Sequence, residues 1–244
     1  MELLILNLLI LSLIVCFGSV LQASTGFGVG LIIVPLLALV DLSYVPGPVI
    51  FGSLALSLLM TVSGRHYIDS DNLPWISIGL IIGSVIGAQA LSYIPPNLSG
   101  VLFGSLIIIA IVLSYLKLTL RTTIPVFIVA GVASGFMGTT SAIGAPVLAL
   151  LYQYHEGKRL RATLGFLYFL SSIMMIVLLH FHDHFGLAEI KHGLMLMPGF
   201  ILGFVIAQPI AKYLDKGYTR PAVLVIAFVS AFYLIVKSMA KYVG

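Results

Sequence analysis

The stretch "LQASTGFGVGLIIVPLL" at residues 21–37 decides the fold, because it interrupts an apolar run with Gln, Ser, Thr, three Gly and a Pro. That run extends from Leu3 to Val40 without a charged residue. A helix that crosses a bilayer needs about 20 apolar residues. The run is therefore long enough for one such helix and a shorter second one, and the stretch marks the break between them.

The composition of the chain excludes an ordinary soluble protein. Of its 244 residues, 60% are hydrophobic and only 8% are charged, whereas soluble domains carry about 25% charged residues. No loop between apolar segments is long enough to fold alone, so we expect one transmembrane domain over 1–244. The start "MELLILNLLI" lacks a basic n-region, so we expect no cleaved signal peptide. Cys16 is the only cysteine, which excludes an intrachain disulfide.

Apolar content and helix-breaking residues predict ten hydrophobic segments. The second and the seventh are too short to span comfortably, and each contains a proline, Pro35 or Pro146, after a break rich in Gly, Ser and Thr. Each short segment either crosses the membrane or forms one arm of a re-entrant hairpin, and the sequence leaves both open. The ten segments are 3–22, 28–40, 45–63, 73–94, 99–118, 123–137, 142–154, 162–181, 191–213 and 219–240.

The two breaks belong to an internal repeat. "STGFGVGLIIVPLLALV" (24–40) resembles "SGFMGTTSAIGAPVLALL" (134–151), with Gly-Phe, small polar residues, a proline and Ala-Leu in the same order. We therefore predict repeats over 3–118 and 123–240. Because five segments per repeat is an odd number, the second repeat is inverted relative to the first. A ladder of small residues recurs at an offset of 120: Gly79, Gly83 and Gly87 correspond to Gly199, Gly203 and Ala207.

The distribution of Lys and Arg predicts the orientation in the membrane. Ten segments put nine cations on one face and three on the other, whereas merging each broken pair into one span gives six against six. The positive-inside rule favours the first count, which places both termini outside the cytoplasm. The basic residues form no patch interleaved with aromatics, so nucleic-acid binding has no support. The nine are Arg65, Lys117, Arg121, Lys158, Arg159, Arg161, Lys212, Lys216 and Arg220, and the three are Lys191, Lys237 and Lys241.

The breaks themselves are the candidate functional site. Non-helical backbone at membrane depth is tolerated only where it is buried in protein or lines a cavity. The helices that resume after each break present N–H groups and a partial positive charge, which suit an anion. A single such cluster is typical of helix packing, but two at corresponding places predict the substrate site of a secondary transporter. The candidate residues are Gln22, Ser24, Thr25, Gly26, Gly28, Gly30, Gly138, Thr139, Thr140, Ser141 and Gly144.

No ionisable residue lies in the middle of a segment, so the sequence offers no carboxylate for proton coupling. An uncoupled carrier follows its gradient. With the cytoplasm negative, each unit of anionic charge that leaves gains about 2.3 kcal/mol per 100 mV. This favours export over uptake. The charged residues nearest the segments lie at their ends: Asp41, Arg65, Lys117, Arg161 and Lys212.

Other functions find less support in the sequence. No serine stands beside a buried base, so we expect no enzyme, and no cofactor motif is present. "HFHDHF" (180–185) is interpreted as a solvated loop, because a metal site needs three or four convergent ligands. An anion channel and a purely structural membrane protein stay open as alternatives. Whether the chain forms a homo-oligomer is also left open.

The motifs around both breaks resemble those of a known family. "STGFGVGLIIVPLLAL", "GFMGTTSAIGAPVLAL", "LRATLGF" (160–166) and the two glycine ladders resemble the sulfite exporter TauE/SafE family over essentially the whole chain. The resemblance implies a transporter of the bacterial inner membrane that moves small sulfur-containing anions such as sulfite or sulfonates, with some members assigned to uptake. The chain departs from the family where Gly144 is followed by Ala145 instead of a run of glycines.

Together these inferences predict an all-α membrane transporter that exports sulfite or an organosulfonate, with the anion and the lipid bilayer as its partners. Hydroxyl groups at the breaks are expected to donate hydrogen bonds to the anion. Valine at Thr25, Thr140 or Ser141 is therefore expected to impair transport in a protein that still folds.

Overall fold

The computed structural model describes residues 2–26, 30–95, 98–115, 123–152, 157–214 and 219–243, with side chains left undescribed at 2–6, 212–214, 219–223 and 241–243. The candidate residue Gly28 and the cations Lys117, Arg121 and Lys216 lie outside these ranges. The described residues contain no β-strand and form ten α-helices: α1 Glu2–Thr25, α2 Gly30–Val40, α3 Gly47–Gly64, α4 Leu73–Tyr93, α5 Ser99–Tyr115, α6 Ile124–Ser141, α7 Ala145–Tyr152, α8 Gly157–Phe181, α9 Leu187–Leu214 and α10 Thr219–Val243.

Each predicted segment corresponds to one helix, and the two short ones correspond to α2 and α7. At about 1.5 Å per residue, α2 and α7 are about 17 and 12 Å long, well under the ~30 Å hydrocarbon core. Neither can cross a membrane by itself. In the described part of the chain, six helices are long and apolar enough to cross: α1, α3, α4, α6, α8 and α9. The protein is therefore an all-α, multi-pass membrane protein.

The helix boundaries correct the sequence-based segments at both breaks. The predicted segments end at residues 22 and 137, but α1 continues to Thr25 and α6 to Ser141. The reason is that backbone groups away from water must be satisfied internally, which favours helix, while the Ser and Thr hydroxyls are satisfied by the carbonyl four residues back. Ser141 Oγ, for example, lies 2.7 Å from the Met137 carbonyl oxygen. The second break therefore begins at Ala142, four residues later than predicted.

The glycine ladders bring helix backbones into direct contact. On α4, a Cβ added at Gly87 would lie 2.9 Å from the Phe136 carbonyl oxygen of α6. On α9, a Cβ at Gly199 would lie 2.9 Å from the Ser12 carbonyl oxygen of α1. These approaches leave no room for a side chain. The ladders are thus packing surfaces that fix α4 on α6 and α9 on α1, as expected of small residues in membrane helices.

The central pair of helices is α3 and α8, which run antiparallel. A Cβ at Gly64 would lie 2.7 Å from Ala162 Cβ, and a Cβ at Gly165 would lie 2.7 Å from Met60 Cβ. Helix α3 also packs on α9, α8 on α4, and α5 on α10. The short helices lie inside this arrangement.

Burial confirms that the short helices are interior elements. Ile33 and Leu37 of α2 and Ala149 of α7 are completely buried, and Leu148 is 1% exposed. The large exposed side chains are instead on the long helices, such as Phe232 of α10. The short helices that follow the two breaks are thus enclosed by protein, which is where irregular backbone at membrane depth is tolerated.

Candidate functional site

Helix α1 ends in a left-handed turn at Gly26. The φ of Gly26 is +75°, and its N–H donates to the Gln22 carbonyl oxygen at 2.7 Å. Glycine adopts this conformation without the steric cost that a Cβ brings, and it is the usual residue at such a helix end. The turn stops α1 and redirects the chain towards α2.

Helix α6 ends in the same kind of turn at Ala142, although alanine rarely adopts a positive φ. The φ of Ala142 is 59°, and its N–H donates to the Gly138 carbonyl oxygen at 2.7 Å. The two breaks also touch each other. A Cβ at Gly30 would overlap the Ala142 carbonyl oxygen, so this approach requires glycine at position 30.

Helix α8 contacts both breaks through two polar side chains. The Tyr168 hydroxyl lies 3.0 Å from the Gly26 carbonyl oxygen and 3.4 Å from that of Ala145, so it donates to one or the other. About two turns earlier in α8, Arg161 Nη1 donates to the Ser24 carbonyl oxygen at 2.9 Å. These bonds occupy carbonyls at the end of α1 that have no partner within the helix.

A cavity of about 60 Å³ lies between the two breaks, α3 and α8. One water needs only about 10–15 Å³ of such a cavity, so there is room for several waters or one small ion. Most of its lining residues are buried. They are Gln22, Gly30, Val49, Ile50, Ser53, Ser57, Ser134, Gly138, Ala142, Gly144, Ala145, Tyr168, Ser171, Ser172 and Met175.

The N-terminal ends of both short helices lie on this cavity. Gly30 is the first residue of α2 and Ala145 the first of α7, and both belong to the lining. The first N–H groups of a helix have no intrahelical acceptor and carry a partial positive charge. These N–H groups therefore supply partial positive charge at the cavity wall, and no Lys, Arg, His, Asp or Glu is among its described lining residues.

Four of the five serines that line the cavity donate to backbone carbonyls. Ser53 and Ser57 bond within α3, Ser171 bonds within α8, and Ser134 Oγ donates to the Gly144 carbonyl oxygen at 2.8 Å. The last of these bonds fixes the second break against α6. Ser172 is 7% exposed, and no hydrogen bond joins its hydroxyl to another protein atom in the described part of the chain. Among the described lining serines it is the one hydroxyl free to donate to an occupant of the cavity.

A larger pocket of about 320 Å³, the basic vestibule, lies at one end of α3 and α8. It contains two fixed positive charges and no carboxylate among its described lining residues. Lys158 is held with Nζ 5.6 Å from the centre of the Tyr67 ring, a cation–π distance. Its lining is Ala23, Met60, Ser63, Gly64, Tyr67, Lys158, Arg161, Ala162, Phe204, Ala207, Gln208 and Ala211.

A third pocket of about 390 Å³, the histidine vestibule, lies at the opposite end of α3. Along α3 the order is histidine vestibule at Pro48, cavity at Ser53 and basic vestibule at Gly64. The three pockets thus follow one another along the bundle. The lining of the histidine vestibule is Leu42, Ser43, Val45, Pro46, Gly47, Pro48, Leu91, Ile94, Ser99, Phe103, His184, Ala188, Glu189 and His192.

Different contacts separate the cavity from each vestibule. Towards the histidine vestibule lies an apolar cluster that includes Ile50, Leu91 and Met175, all at most 8% exposed. Towards the basic vestibule lie the fully buried Leu164 and the hydrogen bond from Tyr168 to Gly26. One barrier is therefore apolar and the other contains a polar link.

Four of the predicted site residues line the cavity: Gln22, Gly30, Gly138 and Gly144. Gly26 bonds to Tyr168 beside it, and Gly28 is outside the described residues. The others lie in the last turns of α1 and α6, where Thr25, Thr139, Thr140 and Ser141 donate to carbonyls of their own helices and Ser24 is fully buried. Whether any of these residues contacts a substrate stays a prediction.

The side chains that α3 and α8 contribute to the cavity were not among the residues predicted from the sequence. A signal was present in their spacing. Ser53 and Ser57, and likewise Tyr168 and Ser172, are four residues apart, which places each pair on one helix face. Polar residues repeated at this interval in an apolar helix indicate a face turned away from lipid.

Two other polar clusters lie away from the cavity. The Asp69 side chain is 6% exposed and forms an ion pair with Arg159 at 2.9 Å, and Asp69 is not among the described lining residues of the cavity. In "HFHDHF", His180 and His182 bond to backbone carbonyls, whereas His184 Nε2 lies 3.1 Å from Ser92 Oγ. The three histidines therefore have separate partners.

Comparison with known proteins gives one match. The family model described as sulfite exporter TauE/SafE matches residues 11–234 of the 244-residue chain. No curated protein matches the chain, and no solved structure does. The matched range includes both breaks, all the lining residues of the cavity and both vestibules.

Proposed function

The chain belongs to the sulfite exporter TauE/SafE family, and on that premise we propose that it is a secondary carrier that exports a small sulfur-containing anion, sulfite or an organosulfonate. The observation that carries the proposal is the cavity between the two helix breaks. Its size suits a small oxyanion, and the N-termini of α2 and α7 supply partial positive charge on its wall. No catalytic step is assigned to it.

The arrangement of helices supports two inverted repeats, 3–118 and 123–240, as halves of one transmembrane domain. Equivalent helices of the two halves make equivalent contacts. The fourth helix of the first half, α4, packs on the first helix of the second half, α6, and the fourth helix of the second half, α9, packs on the first helix of the first half, α1. The third helices of the two halves, α3 and α8, run antiparallel: α3 reaches the cavity before the basic vestibule, whereas α8 reaches the basic vestibule before the cavity. A site at the interface of such repeats is the usual place for substrate in secondary carriers.

The barriers on both sides of the cavity favour a carrier over a channel. A channel needs a continuous path, whereas a carrier closes its site on at least one side at all times. Here the cluster at Ile50 and Met175 and the bond between Tyr168 and Gly26 stand on opposite sides. We propose that relative movement of the two halves opens one barrier at a time.

The charge distribution supports export from the cytoplasm across an inner membrane. Lys158 and Arg161 of the basic vestibule belong to the nine cations that the positive-inside rule assigns to the cytoplasmic face. This orientation places both termini outside the cytoplasm. An anion gathered at the basic vestibule would then leave down the membrane potential. Accumulation of methanesulfonate in proteoliposomes under a proton gradient alone would contradict this uncoupled export.

Counterflow in proteoliposomes tests the proposed function. Vesicles loaded with unlabelled sulfite should take up labelled sulfite faster than empty vesicles, because a carrier returns faster when loaded. A channel would show flux without this stimulation. Absence of both sulfite and sulfonate flux in a folded, correctly inserted protein would contradict the proposal.

A further inference from the structure

No fixed charge lies among the described lining residues of the cavity, and this limits the charge of its occupant. Among the described lining residues the hydrogen-bonding groups are serine hydroxyls, the Gln22 amide, the Tyr168 phenol and backbone groups. An anion there is stabilised by dipoles but not neutralised by a cation. The cost of transferring an ion out of water rises with the square of its charge, so it is about four times larger for a dianion than for a monoanion.

The free hydroxyl of Ser172 is a second observation that points to a ligand. The side chain is more than nine-tenths buried, lies on the cavity and donates to no protein atom in the described ranges. A buried hydroxyl normally has an acceptor. Tyr168, four residues earlier on the same helix face, already donates to the carbonyl of one break. The acceptor of Ser172 is therefore expected to be the occupant of the cavity.

The charged groups nearest to the cavity do not lie on its wall. On α8, Arg161 belongs to the basic vestibule and binds the Ser24 carbonyl oxygen. At the other end, His184, Glu189 and His192 line the histidine vestibule. On the wall itself, Tyr168 is the single titratable side chain among the described lining residues, and it is a neutral phenol.

Building on the proposed function, we propose that the cavity accepts its substrate as a monoanion, hydrogensulfite or a sulfonate, with the Ser172 hydroxyl as a direct donor. The sulfite dianion and sulfate are disfavoured because their desolvation costs about four times more and the described lining residues supply no cation to offset it. The two helix N-termini and one free donor stabilise a single charge. Ser172 is thus a substrate-binding residue of the transport site.

The pH dependence of transport tests this inference. Sulfite exchanges a proton near neutral pH, so its monoanionic fraction falls with rising pH, whereas methanesulfonate is a monoanion throughout. At fixed total concentrations below saturation, we expect sulfite counterflow between roughly pH 6 and 9 to fall about tenfold per pH unit above the pKa of hydrogensulfite. Methanesulfonate counterflow should stay constant, and sulfate should give none.

Three results would overturn the inference. Sulfite counterflow that stays constant or rises with pH would show that the dianion is carried, while the proposed function would stand. Parallel falls for sulfite and methanesulfonate would assign the titration to a protein group instead. If neither anion is carried by folded protein, the proposed function fails and the inference fails with it.

A matched pair of variants tests the role of Ser172. S172A removes the free donor, whereas S105A removes a hydroxyl on α5, outside the described cavity lining, that donates to the Val101 carbonyl oxygen at 2.8 Å. We expect S172A to raise the KM for methanesulfonate roughly tenfold, as loss of a hydrogen bond to a charged group does, and S105A to leave it within about twofold. Equal KM values for both variants would contradict a direct contact with Ser172.

Discussion

Replacement of Tyr168 by phenylalanine is expected to weaken the barrier between the cavity and the basic vestibule. The hydroxyl donates to the Gly26 carbonyl oxygen at 3.0 Å, and Tyr168 is 8% exposed. Loss of its donor leaves a buried carbonyl without that partner, at a cost of about 1–3 kcal/mol. If the bond exists only while this side is closed, the equilibrium between closed and open forms shifts towards open by about 5–150-fold.

Thiol labelling measures this shift. The native Cys16 is first replaced by alanine, and a single cysteine is introduced at Ser57, which lines the cavity. A membrane-impermeant thiol reagent is then added on the side of the basic vestibule. We expect Y168F to raise the labelling rate at position 57 by about 5–150-fold, because the open form exposes the cavity to that side.

Tyr233 provides the matched control, since it is an exposed tyrosine on α10, 56% exposed and far from the cavity lining. Y233F should leave both the labelling rate and the thermal unfolding temperature unchanged. An unchanged labelling rate in folded Y168F would refute the assignment of this bond to a barrier. Faster labelling from the histidine side alone would refute it as well.

Three further substitutions test other parts of the structure. G30A places a methyl group against the Ala142 carbonyl oxygen, so we expect loss of counterflow and a lower unfolding temperature in detergent. D69N removes the ion pair with Arg159, whose guanidinium is half exposed, and should lower the free energy of unfolding by about 1 kcal/mol without changing the KM for substrate. Because the Thr140 hydroxyl donates within its own helix, T140V should raise the KM for substrate less than S172A does. A larger increase of the KM in T140V than in S172A would indicate that the substrate binds at the last turn of α6 instead.

Much of the fold could be predicted because the bilayer imposes a length on each helix. Ten segments follow from apolar content, and α2 and α7 stand out as short because Pro35 and Pro146 follow closely on Gly-rich breaks. The exact ends could not be predicted in the same way. Gly, Ser and Thr are poor helix formers in water, but backbone groups away from water must be satisfied internally, so α6 continues through Thr139, Thr140 and Ser141.

The candidate site was only partly accessible to sequence reasoning. Both breaks can be recognised from composition, and Gly30 and Gly144 do line the cavity. The α3 and α8 contributions depend on tertiary structure, because a serine such as Ser172 in an apolar helix is as compatible with packing as with binding. Which face of α8 turns inward follows from its packing on α3, where Gly165 contacts Met60, and not from local sequence.

Filling the cavity is the most direct test of the claim that it is the transport site. Leucine at Ser172 would occupy the space between the two breaks, whereas leucine at Ser105 on α5, which is not among the lining residues, serves as the control. The measurement is sulfite counterflow in proteoliposomes at equal amounts of folded protein. The account predicts that S172L abolishes counterflow and that S105L retains it. Counterflow at the wild-type rate in S172L would contradict the account.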